Sequence, residues 1–78
     1  MSFVSCIIEG IEIIEQIYGS NSKAMKSFQE VFKGYAIKRT KTRKDIKIKF
    51  EQITKKQTTD RATNTKIQEI LYWMTKYK

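Results

Sequence analysis

Seven cations crowd twelve residues of this chain. Lys38, Arg39, Lys41, Arg43, Lys44, Lys47 and Lys49 are opposed there only by Asp45, a local balance of +6. Side chains at this density neutralise phosphates and release their condensed counterions, a pull that ignores base sequence. Nucleic acid, DNA or RNA, is therefore the expected partner. Lysine outnumbers arginine thirteen to three over the chain, and the planar fork of arginine is the better bidentate reader of guanine. Contact with the backbone and weak sequence specificity follow.

A charge run is often no more than a solvated face. The asymmetry here argues for more. Residues 1–33 carry three lysines against four glutamates, a balance of −1, whereas residues 34–78 carry thirteen cations against four acids, a balance of +9. Charge concentrated in this way steers acidic partners. The competing expectation is a protein-binding module or inhibitor that docks the same basic face on an acidic protein surface.

Five aromatic residues, Tyr35, Phe50, Tyr72, Trp73 and Tyr77, also lie in the basic half, where rings can stack on unpaired bases. Phe50 shares a face with apolar neighbours, and Trp73 and Tyr77 border the apolar face of the last helix, so these three read as core. Tyr72 points off that face and joins the seven cations as a candidate nucleic-acid-binding residue.

Little else in the chain could do chemistry. There is no histidine, which removes the commonest general base, and no glycine-rich phosphate loop. Asp45-Ile46-Lys47 has the acid-x-lysine spacing of one large nuclease class, but such a tripeptide arises by chance in so lysine-rich a sequence. No catalytic residue, no cofactor and no metal site are expected, since one cysteine without histidine builds neither a disulfide nor a zinc site within one chain. Cys6 lies among mostly apolar residues, and no cationic side chain precedes Lys23 to lower its pKa. It reads as a small buried hydrophobe in a reducing, cytoplasmic setting. The stretch Phe3–Ile8 is cut by Glu9 and has no basic start, so it is not read as a secretory signal, and no apolar run is long enough to span a membrane.

The elements that must position these residues follow from periodicity. With 78 residues, one hydrophobic core is the ceiling, and residues 1–78 read as a single domain. Phe3, Ile7, Ile14 and Tyr18 recur at helical spacing, joined by Val4 and Ile11, which predicts a helix over 3–18. Its apolar arc, widened by Cys6, Ile13 and Ile17, asks for partners on two sides, and a homodimer through this N-terminal helix is one way to supply them. Gly19-Ser20-Asn21-Ser22 supplies a C-cap and then N-cap residues. A second helix follows with Met25, Phe28 and Phe32 on one face and Gly34 as its stop, pairing with the first as a hairpin.

Residues 35–54 carry two patterns. Ile46, Ile48 and Phe50 alternate with Lys47, Lys49 and Glu51 as in a strand, and Tyr35 and Ile37 open a hairpin partner around 40–44. Against this, Thr42-Arg43-Lys44-Asp45 matches a capping box, and Ile46, Phe50 and Ile53 also fit a helical face. The strand reading is preferred. Residues 54–64 read as a polar loop. Thr65 with Gln68 makes a second capping box, opening a last helix lined by Ile67, Ile70, Leu71, Met74 and Tyr77. The expected fold is α+β, in the order helix, helix, basic β-hairpin, helix, and the alternative is an all-α bundle of four short helices.

Overall fold

The first helix, α1 (Phe3–Tyr18), is opened by the Ser2 hydroxyl, which accepts the Ser5 N–H at 3.2 Å. This satisfies one of the donors a helix start leaves unpaired. At the other end the Gly19 N–H donates to the Glu15 carbonyl at 2.8 Å, and Gly19 takes φ 98°, a conformation that a side chain opposes. Three residues on, the Ser22 hydroxyl accepts the Met25 N–H at 3.1 Å and starts α2 (Lys23–Lys33). The two helices form the hairpin that their punctuation predicts. A computed structural model describes residues 2–55 and 60–77 of the chain.

Beyond α2 the expected hairpin is absent. The described residues contain no strand: α2 runs on into a π-helical turn, Gly34–Lys38, and α3 (Arg43–Lys55) follows. The fold is therefore the four-helix bundle, not the α+β arrangement. The side chains show why. Ile46 and Phe50 are fully buried and Ile53 nearly so, while Ile48 is 42% exposed. A strand would have put Ile46, Ile48 and Phe50 on one face; a helical stripe takes Ile46, Phe50 and Ile53 and leaves Ile48 outside.

Two boundary expectations also change. Gly34 has φ −60° and does not stop the helix; the left-handed residue that ends it is Arg39, at φ 56°. The predicted loop over 54–64 is shorter among the described residues, because α3 reaches Lys55 and α4 (Arg61–Lys76) begins after Asp60. The central part of that expectation, 56–59, lies outside the described residues. Thr65 caps nothing: it sits one turn inside α4, and its hydroxyl donates to the Arg61 carbonyl at 3.0 Å.

Packing follows a ring, with α1 against α2 and α4, and α3 against the same two neighbours. Ile7, Ile14, Phe28, Ile46, Phe50, Ile70 and Met74 fill the centre. The Phe28 and Phe50 rings meet at 5.9 Å, a tilted geometry favoured by their quadrupoles. Gly10 admits that pair, since a Cβ there would lie 3.2 Å from Phe50 Cε1. Buried Thr54 satisfies its hydroxyl on the Phe50 carbonyl at 2.8 Å, and the Tyr18 hydroxyl ties α1 to α3 by donating to the Ile53 carbonyl at 2.7 Å. Cys6 belongs to this core, and burial, followed by the charge of Glu9, pushes its thiol pKa up. No helix among the described residues is long and apolar enough to cross a membrane.

Candidate functional site

The basic segment is held by a tight turn and a capped helix. The Gly34 carbonyl accepts the N–H groups of Arg39, Thr40 (2.8 Å) and Lys41 (3.3 Å), folding the chain back over Gly34. A Cβ on Gly34 would lie 2.6 Å from Lys41 Cγ, so a larger residue there would push the Lys41 side chain aside. Lys38, Arg39 and Lys41 are left exposed on it.

At the start of α3 the predicted capping box is formed. The Thr42 N–H donates to Asp45 Oδ2 at 2.8 Å, the Thr42 hydroxyl donates to the same oxygen at 3.1 Å, and the Asp45 N–H returns to the Thr42 hydroxyl at 3.3 Å. The Thr42 backbone bond, then its side-chain bond, and then the charges of Lys41 and Lys44 hold the Asp45 carboxyl below its ordinary range. This carboxylate is a structural cap, and the acid-x-lysine reading has no nuclease geometry behind it. Among the described residues no group of three His, Cys, Asp or Glu side chains could hold a metal ion.

Arg43, the first residue of α3, is the best-positioned cation. Its Nε donates to the Tyr35 hydroxyl at 3.2 Å, and its guanidinium carbon lies 5.5 Å from the Phe3 ring centroid and 5.9 Å from that of Tyr77. Phe3 in turn packs on Tyr35 at 5.5 Å and edge-on to Tyr77 at 5.8 Å. Three rings from α1, the π turn and the chain end thus orient one guanidinium, each contact being a cation–π or polar bond of modest strength. With Nε engaged, the terminal nitrogens carry the other four N–H donors.

That guanidinium stands at a groove of about 720 Å³ between α3 and α4, which Lys44, Lys47, Thr42 and Thr75 also line above buried Met74. The structure therefore gathers three of the seven predicted cations, Arg43, Lys44 and Lys47, around one concavity, with Lys38, Arg39 and Lys41 on the turn before it. Lys49 is separated from them. At about 100° per residue it leaves α3 roughly opposite Lys47, and it lines a smaller recess with Lys23 and Tyr18.

Tyr72 lies outside the groove as well. It is 56% exposed on α4, with Lys76 Nζ 4.9 Å from its ring centroid and Trp73 edge-on at 5.8 Å. Phe50 is core, as expected, while Trp73 and Tyr77 are partly buried. The ion pairs among the described residues are Lys55–Glu51 at 3.8 Å and Lys66–Glu9 at 3.2 Å, and neither involves one of the seven cations. Phe3, Tyr35 and Tyr77 as the cradle of Arg43 were not legible from local spacing, because the first and last of them come from opposite chain ends.

No family model, curated protein or solved structure matches this chain. Its own residues have to carry the functional reading.

Proposed function

We propose that this protein is a small non-enzymatic nucleic-acid-binding domain that grips phosphates with the Arg43 groove and the basic turn before it. The observation that carries this reading is the Arg43 guanidinium, oriented by Tyr35, Phe3 and Tyr77 and flanked by Lys44 and Lys47. A guanidinium fixed in advance loses less freedom on meeting an oxyanion, and its terminal nitrogens match a phosphate in a bidentate pair. Base recognition is secondary. Arg43 stands over the rings of Phe3 and Tyr77, so those faces are not open to stack on bases, and sequence specificity is weak. Tyr72, outside the groove, supplements the contact as a single exposed ring. A cytoplasmic setting fits the lone buried Cys6.

A second reading has one observation in its favour. Ile37 and Ile48, 71% and 42% exposed, stand among the cations, and apolar side chains beside lysines suit an acidic protein surface better than a phosphate backbone. Titration of labelled duplex and single strands, at about 50 mM and about 200 mM salt, separates the two. Binding that weakens steeply with salt supports the nucleic-acid reading. No binding of either strand form at the lower salt overturns it, and a partner retained from lysate after nuclease treatment then favours the acidic protein.

A further inference from the structure

We infer that the outward face of the α1–α2 hairpin is the seam of a two-fold homodimer. Val4, Ile8, Ile11 and Glu15 recur at i, i+4, i+7 and i+11, which lines them along one side of α1. Val4 and Ile8 are 54% and 52% exposed, although every other residue of that type on α1 is buried or packed at the edge of the core. Ile11 meets Phe32 of α2 across a shallow depression of about 560 Å³ whose walls include Lys26 and Lys33. Together these side chains make an apolar strip shared by both helices.

The occupant is identified by charge. On one flank α1 carries Glu12 and Glu15, with Lys66 of α4 in the recess beyond Glu12, while on the other α2 carries Lys26 and Lys33 with Glu30 beside them. A two-fold axis lying along the strip brings the acidic flank of one copy onto the basic flank of the other, twice over, with the apolar residues between them. Such a self-complementary patch is what an isologous interface requires. None of these residues lines the Arg43 groove, so a dimer presents two basic surfaces.

The test uses charge reversal at exposed positions, which leaves the core untouched. Sedimentation equilibrium of the full chain should show a dimer. The variants E12K/E15K and K26E/K33E should each dissociate about tenfold or more readily, through like-charge contacts, with unchanged helical circular dichroism. Mixing the two variants should restore a dimer, because both contacts of the mixed pair are then attractive. A wild-type chain that stays monomeric at near-millimolar concentration overturns the inference. So does a dimer that both variants retain, or a mixture that stays monomeric.

Discussion

The salt dependence of binding distinguishes the cations that the fold gathers from those it disperses. Six cations, Lys38, Arg39, Lys41, Arg43, Lys44 and Lys47, stand on the turn and around the groove, and Lys49 leaves α3 on the far flank. If each of the six meets one phosphate of a duplex, log K falls against log salt with a slope of about −5, so raising salt from about 50 to about 200 mM weakens binding roughly 1,000-fold. Replacing Lys44 and Lys47 together by glutamine should bring the slope to about −3.5 and that same salt effect to roughly 100-fold. Replacing Lys49 should leave the slope unchanged. Fluorescence anisotropy across five or six salt concentrations reads all three slopes, with thermal melts confirming that these surface changes leave the fold intact. A Lys49→Gln slope that drops by half or more of the change seen for the Lys44 and Lys47 double replacement would refute the placement of the interface on the groove side. A wild-type slope near zero would refute phosphate as the target.

Other consequences are as direct. Arg43→Lys keeps the charge but loses the Nε bond to Tyr35 and the planar contact with Phe3 and Tyr77, so affinity should fall about three- to tenfold at fixed salt while the slope stays as in wild type. Ile46→Glu should unfold the domain, because it buries a charge, whereas Ile48→Glu should change stability by only about 0.5 kcal/mol; equal losses from both in urea titrations would restore the strand. Thr42→Ala removes the N-cap of α3 and should cost about 1 kcal/mol, a fall in Tm of about 4–8 °C for a domain of this size. The Asp45 carboxyl is held below its ordinary value of 3.8. Its contribution to stability is therefore present above that pH and is lost as pH falls below it and through the folded value. Melts at descending pH should show Asp45→Asn losing less stability than wild type over that acid window.

Some of this architecture is legible locally. The helix over 3–18 follows from apolar spacing and its terminal glycine, and the Ser22 cap marks the start of α2, because caps and helical stripes involve residues within a turn or two of one another. Residues 46–53 are different. Ile46 and Phe50 satisfy both the strand and the helix pattern, and only Ile48 and Ile53 separate them. The surfaces of α2 and α4 decide the matter by accepting a narrow stripe and leaving Ile48 in solvent. The start of α4 is a milder case: Thr65 with Gln68 matches a capping box, yet the helix begins four residues earlier, after Asp60, whose side chain makes no cap bond.

The candidate site divides in the same way. Charge is additive and attached to particular residues, so the basic half and its densest run over 38–49 are properties of the sequence alone, as are the absence of histidine and the exclusion of familiar triads. Which of those cations act together is not. Lys47 and Lys49 are two residues apart and leave the helix in nearly opposite directions, while Arg43 is oriented by Phe3 and Tyr77, which stand at opposite ends of the chain and meet only when α1 and α4 pack side by side. Direction and enclosure arise from contacts between distant segments, and tertiary packing alone supplies them.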